Sequence, residues 1–307
     1  VVAVNPALGR APRRRSPGRR KLTWTAWGFA TPFLILFLVF MAGPIVASLL
    51  MSFTDLTTRD LRTPFNVNLV GFENYVHLFE DPRFLRSMLN TGIFVVVGVP
   101  LTIVVALLVA LALNTGITKF RTVFRVGYYA PVVTSIVAIA IVWRFILQPD
   151  GLLNGFLSWF GITGPNWLED TTWALPSLIL MAVWRNIGTL MVIFLAGLQG
   201  VPQEQHEAAM MDGAGAVKRF ANVTIPALRP ALLFAAVITG IGFLQFFEEP
   251  FVMTRGGPLD STLSGAMYTF NQFGFGNYSF ASAASYVLFL AIVVLSLVQF
   301  RLLREKP

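Results

Sequence analysis

Trp184, Arg185, Asn186, Gln245, Glu248 and Glu249 lie in stretches that are otherwise apolar. Together they carry the chemistry suited to a polyhydroxylated solute. Amide, carboxylate and guanidinium groups hydrogen-bond hydroxyls, and an indole face covers C–H surface. Ionisable groups inside apolar spans are costly, which makes these six candidates for a solute path. Arg144, next to Trp143 near a span end, is expected to snorkel to the outer headgroups instead. An ion pair from Arg185 to Glu248 or Glu249 that merely ties two helices is the competing reading, and the residues leave it open. An anionic solute would favour a free Arg185, whereas a neutral sugar would tolerate a paired one.

A second constellation does no covalent chemistry but has the makings of a grip. Pro202 can open a helix whose first turns hold Glu204 and Glu207, where the helix dipole favours anions. Ala208 and Ala209 allow close approach of another backbone. Asp212 follows, Gly213 and Gly215 break the helix, and a short second helix is expected over roughly 216–222. Pro226 and Pro230 reset the chain into the next apolar stretch. The expected product is a helix–turn–helix, too poor in basic surface to read DNA and tethered at both ends by spans.

The elements that must position these groups are membrane helices. Of 307 residues, 55% are hydrophobic and 12% charged, far below a soluble domain's share of charge. Without cysteine, disulfides, thiolate metal sites and a cysteine nucleophile are excluded. At about 20 apolar residues per crossing, six spans are expected: 26–53, 91–113, 126–147, 174–198, 228–250 and 280–303. The net charge of +8 is local, because seven of the 23 Lys and Arg fall within Arg10–Lys21. That Arg- and Pro-rich arm, residues 1–25, is expected to be disordered and to lie on anionic headgroups, and the apolar stretch after it is too long for a signal peptide. Connecting segments on one face carry sixteen Lys and Arg against five on the other, which sets both termini in the cytoplasm.

Pro32, Pro44, Pro100, Pro131 and Pro176 interrupt the spans. Most are read as ordinary kinks, with Pro131 and Pro176 as the candidates for hinges. In the first outer segment, Phe72, Tyr75, Val76 and Phe79 recur at helical spacing and predict an interfacial helix. His77 within it is read as solvated. Gly256-Gly257-Pro258 after Arg255 predicts a rigid turn.

The pattern Glu207-Ala208-Ala209-x3-Gly213-x9-Val223-x-Ile225-Pro226 resembles the EAA motif of binding-protein-dependent ATP-binding-cassette importer permeases. Val223 and Ile225 stand where that family usually has Ile and Leu. Blocks at 70–84, 130–154, 182–220 and 253–262 are similar to carbohydrate-uptake permeases of the maltose and glycerol-phosphate type. The resemblance implies an all-α, six-helix importer core over 26–303, a coupling loop at 201–227 and a short cytoplasmic tail at 304–307. It implies that Glu207, Ala208, Ala209, Asp212, Gly213 and Gly215 contact an ATPase. It also implies a second permease, two ATPase subunits that hold ATP and Mg, and an extracytoplasmic sugar-binding protein that Asp260 and Asn271 could touch. The 253–262 block would then be a gate-proximal turn.

The chain has no G-x-x-x-x-G-K-[ST] phosphate loop, no HExxH and no G-x-S-x-G. The expectation is a non-enzymatic, multi-pass subunit of a bacterial inner membrane that binds no cofactor itself. Its solute is not legible. The alternative is an ion-coupled secondary transporter with Glu248 and Glu249 as relays, for which the inverted repeats are missing.

Overall fold

The computed structural model describes residues 17–63, 67–115 and 120–303, and among them there are helices and turns but no named strand. Two compact units divide the chain at Leu50/Met51. In the first, α1 (Pro17–Phe37) runs through a π turn, Leu38–Ala42, into α2 (Gly43–Met51). Pro44 has no N–H for the preceding turn, and the helix widens immediately before it. Helix α1 begins inside the stretch expected to be a disordered arm, while residues 1–16 of that arm and the 304–307 tail lie outside the described residues.

The second unit is the bundle. It holds α3 (Glu73–Glu80), α4 (Pro82–Thr115), α5 (Arg121–Val133), α6 (Ile136–Ile146), α7 (Leu152–Ser158), α8 (Ala174–Gln199), α9 (Gln203–Met211) and α10 (Ala216–Arg219). It continues with α11 (Ile225–Ala227), α12 (Arg229–Leu244), α13 (Glu248–Met253), α14 (Gly265–Gly274) and α15 (Tyr278–Leu303). Helices α4 and α8 pair along their length, α12 lies against α4 and α15, and α5 rests on α8. One core cluster gathers Phe94, Val99, Met181, Val183 and Phe243, with the Phe94 and Phe246 rings stacked at 3.9 Å. A second gathers Leu107, Leu190, Met191, Phe194 and Leu228. A third, of Leu78, Phe84, Leu263, Met267 and Tyr268, closes one end. At about 1.5–3 kcal/mol for a fully buried large apolar side chain, these contacts dominate packing wherever the alternative is water; among lipid tails, close fit replaces that driving force.

Four helices of the described residues are long and apolar enough to cross a membrane, and two bent pairs bring the number to as many as six. The third expected span, 126–147, is not one rod. It breaks between Val133 and Ile136 and turns by 102°. Pro131 cannot donate to the carbonyl four residues back, and Thr134 and Ser135 adopt ψ values of 146° and 127°, outside the helical range. Thr134 Oγ1 recovers one carbonyl by donating to Ala130 O at 2.8 Å. Pro176, by contrast, sits in the first turn of α8, where its missing N–H costs nothing.

The fifth expected span, 228–250, also needs correction. Helix α12 ends at Leu244, and α13 is a separate short helix. Pro250, in the first turn of α13, cannot continue a helix from upstream. Helix α4 starts at Pro82, well before the expected 91. Helix α3 appears where an interfacial helix was expected, but its stripe divides. Leu78 is buried and Tyr75 bonds Ser52 Oγ at 2.8 Å, while Phe72, Val76 and Phe79 are exposed. His77 is exposed between Glu73 and Glu80, which favour its charged form and raise its pKa, Glu80 more than Glu73.

The contact of α5 with α8 depends on Gly188. A Cβ there would lie 2.2 Å from Tyr128 O and 2.9 Å from Tyr129 Cα, both backbone. Gly188→Ala therefore forces α5 off α8. We expect it to cost about 1–3 kcal/mol, seen as a lower thermal midpoint of the detergent-solubilised chain; an unchanged midpoint would show that the elbow yields freely.

Candidate functional site

The arm between α8 and α12 is built from local rules. Pro202 is the residue before the helix rather than its first, with ψ 130°, and Gln203–Met211 follows. Gln203 Nε2 donates to Glu207 Oε1 at 2.9 Å, one turn away. Gly213 takes φ 75°, a conformation that closes α9 and that residues with a Cβ adopt at a cost. Gly215 then precedes α10, which spans Ala216–Arg219 and passes into a π turn, Phe220–Thr224. The helical run as a whole, 216–227, thus extends beyond the expected 216–222. The chain next bends by 67° at Leu228 to enter α12. Glu207, Ala208, Asp212, Gly213 and Gly215 are exposed, and Ala209 is half-buried. Met211, 89% exposed, and Val217, 80% exposed, present apolar surface at the tip.

The six polar candidates do not form one cluster. Trp184, Gln245 and Glu248 are exposed, Arg185 and Asn186 are half-buried, and Glu249 is 5% exposed. Asn186 Nδ2 donates to Ala182 O of its own helix at 2.8 Å. Gln245 caps α12, so it and the two glutamates lie at or beyond the end of the fifth expected span rather than inside it. No ion pair joins Arg185 to either glutamate among the described residues. Arg185 Nε and Glu249 Oε2 are each buried without a hydrogen-bond partner. Trp184 meets Trp143 with ring centroids 5.6 Å apart. That pair walls an apolar cavity of about 590 Å³ inside the α5–α6 elbow, with Pro131, Thr134 and Ile139. Arg144 is exposed and borders a smaller cavity with Glu169 and Asn166.

The far end of α12 leads into a segment the sequence left as loop. It contains α13, α14 and the turn between them. Ser264 Oγ accepts from Met267 N and starts α14, a capping signal that could have been found. The turn is tied to α4. Arg83 makes a two-pronged pair with Asp260, both bonds 2.9 Å, and Asn90 Nδ2 donates to Asp260 O and Leu263 O. Tyr268 donates to Asp81, and burial together with that carboxylate raises the phenol pKa. The Gly257–Pro258 peptide is cis, and Thr262 Oγ1 donates to Gly257 O at 2.8 Å. Arg255, Leu259 and Asp260 have positive φ, each costing on the order of 1–2 kcal/mol. Asp260, a candidate for touching a partner, is held by Arg83.

Such an all-helical bundle, with broken crossings and an exposed jointed arm, is the fold of an ATP-binding-cassette importer permease. It aligns with a bacterial transporter structure for import of the acidic polysaccharide alginate, with TM-score 0.76, 24% identity and coverage of 94% of this chain and 97% of that one. The chain belongs to the family of binding-protein-dependent transport system inner membrane components, which it matches over residues 79–304. It is 38% identical to the lactose transport system permease protein LacF of Rhizobium radiobacter, over 95% of this chain and 98% of that one. It is 34% identical to the arabinooligosaccharides transport system permease protein AraP of Bacillus subtilis, over 89% and 87%. Membership makes it a multi-pass inner-membrane protein.

Glu249 gives the test of the polar set. A buried carboxyl with an unpartnered oxygen does not hold the fold together. Glu249→Gln should leave the thermal midpoint of the purified chain unchanged or raise it by about 1 kcal/mol equivalent. A clear fall would show that the carboxylate is structural.

Proposed function

We propose that the chain is the permease subunit of an ATP-driven importer for a sugar or sugar-derived solute, with both termini and the α9–α10 arm in the cytoplasm. The observation that carries this reading is the exposed arm bearing Glu207-Ala208-Ala209 and Gly213 between two crossings. Its small residues and its apolar tip at Met211 and Val217 suit a cleft on another protein. The chain lacks a phosphate loop, so ATP and Mg bind to two separate ATPase subunits. Their closure displaces the arm, and the arm moves α12 and the helices packed on it. A second permease completes the passage, and an extracytoplasmic binding protein delivers the solute. Relatives named for lactose and for arabinooligosaccharides support a carbohydrate. Trp184, Arg185, Asn186, Gln245, Glu248 and Glu249 are the solute-path candidates on this half. Nothing among the relatives favours ion coupling.

In the reconstituted complex, Glu207→Lys and Gly213→Asp should each lower ATP-driven uptake by about tenfold or more, while the chain still inserts in the membrane. A tenfold loss corresponds to ~1.4 kcal/mol in docking. Uptake at the normal rate in both variants would remove the docking role. The cysteine-free sequence also allows a clean test of orientation. A single cysteine at Met211 should react with an impermeant maleimide only from the cytoplasmic side, and one at Leu259 only from outside. The reverse pattern would invert the assignment.

A further inference from the structure

The segment between α6 and α8 exposes a continuous apolar face. Leu152, Phe156, Trp159, Phe160 and Ile162 are all exposed, Trp159 by 82%. Phe156 meets Trp159 and Phe160 with ring centroids 5.9 and 5.3 Å apart. The other side of α7 faces the bundle, where Leu153 and Leu157 are half-buried and Leu153 packs on the first core cluster. Residues 151–168 contain no Asp, Glu, Lys, Arg or His. Scattered apolar residues on a surface need no explanation, but a clustered face of aromatic rings does. The depth of this face is set by a chain of hydrogen bonds. Asn154 Nδ2 donates to Pro149 O at 3.0 Å and to Pro165 O at 3.2 Å, and Trp167 Nε1 donates to Asn154 Oδ1 at 2.7 Å. Ser177 Oγ, in the first turn of α8, donates to Trp167 O at 3.1 Å. The 26 residues of α8 span about 39 Å against a hydrocarbon core of about 30 Å, so the helix overhangs the core at its ends. The bonds therefore hold α7 at the level where the fourth crossing leaves the hydrocarbon.

We infer that α7 is an in-plane lipid anchor, with Leu152, Phe156, Trp159 and Phe160 set among the headgroups and first acyl carbons of one leaflet. Helix α8 crosses once between α7 and the α9–α10 arm, so the leaflet is the one opposite the arm. Seven residues, about 10 Å of helix, are too few to cross. An interfacial helix usually keeps a charged face toward water. Here that face is replaced by the bundle, which is why α7 needs no charge. Lipid fits the exposed side better than a soluble protein does. A protein contact has a polar rim, and this stretch offers no charge to make one. Indole and phenyl rings favour the boundary where one side is apolar and the other wet. The anchor has a mechanical role. Residues 147–151 join it directly to α6, so the limb of the elbow that ends at Ile146 is moored to the bilayer surface, while α5 rests on α8.

The test places the assembled complex, with its partners' cysteines removed, in nanodiscs of phosphatidylethanolamine and phosphatidylglycerol. Leu152→Cys, Phe156→Cys and Phe160→Cys, made one at a time in the cysteine-free chain, each carry a nitroxide label. All three replace exposed side chains, so the fold is kept. Collisions with oxygen, which concentrates in lipid, are compared with collisions with a water-soluble nickel chelate. Oxygen collisions should exceed nickel collisions by about threefold or more at all three sites, at depths of roughly 5–10 Å below the phosphates. Labels at 152 and 156 should lie at the same depth. A difference near the ~6 Å that four residues span along a helix axis would make α7 a segment plunging into the bilayer and overturn the in-plane anchor. Dominant nickel collisions would leave the face in water and overturn it as well. Low collision rates with both reagents would mean that protein covers the face, the second permease or a soluble partner, and would also overturn it. Neither solute nor ATP enters the measurement, so its failure leaves the Glu207→Lys result untouched.

Discussion

Hydrocarbon offers no hydrogen bond to a peptide group, and the architecture follows from that constraint. A chain in lipid can stay helical, or it can break where neighbouring protein or its own side chains take over the freed groups. The long uninterrupted helices, α4, α8 and α15, obey the first course. The breaks at Val133–Ile136 and at Gln245–Phe247 obey the second, and both lie where helices are packed rather than isolated. Thr134 donating back to Ala130 O shows a small hydroxyl doing this locally. The first break sits beside a cavity and the second beside Gln245, Glu248 and Glu249, because only protein-lined surroundings tolerate such breaks.

Much of this was legible from composition and periodicity. The uninterrupted crossings follow from long apolar runs, and the arm from its alanines, charges and glycines flanked by prolines. The elbow in α5–α6 was half-legible. Pro131 signals a break, but the size of the turn depends on how α5 lies on Gly188 of α8, a contact between residues sixty positions apart. The end of α12 was misplaced because Phe246 and Phe247 resume the apolar run, so that Gln245, Glu248 and Glu249 read as polar groups inside a span rather than as its end. Pro250 was the available clue. The α13–α14 region reads as loop by composition and is ordered by long-range bonds from Arg83 and Asn90, which no local pattern contains.

The polar candidates illustrate the difference between residue type and environment. All six have suitable chemistry, yet the fold sorts them. Asn186 bonds its own helix, Trp184 stacks on Trp143, Gln245 and Glu248 face outward, and Glu249 alone is buried with an open oxygen. The ion pair with Arg185 that the residues left open is not made among the described residues, so two buried polar atoms remain without partners in this conformation. A subunit that works by moving has reason to leave such groups unsatisfied in one state, because whatever satisfies them in another gains a bias toward it.

The π turn at Phe220–Thr224 has a consequence for how this protein tolerates change in length. A π turn accommodates one residue more than an α-helix would between the same two ends. Removing a single residue from 220–224 would let the helix regularise without breaking its hydrogen bonding. Because the bulge absorbs the surplus residue, the two ends would keep their relative bearing instead of turning by the about 100° that one residue of a regular α-helix subtends. The turn thus holds one residue of slack, and a single deletion there would be absorbed without redirecting the arm, whereas the same deletion in α9 would turn everything beyond it.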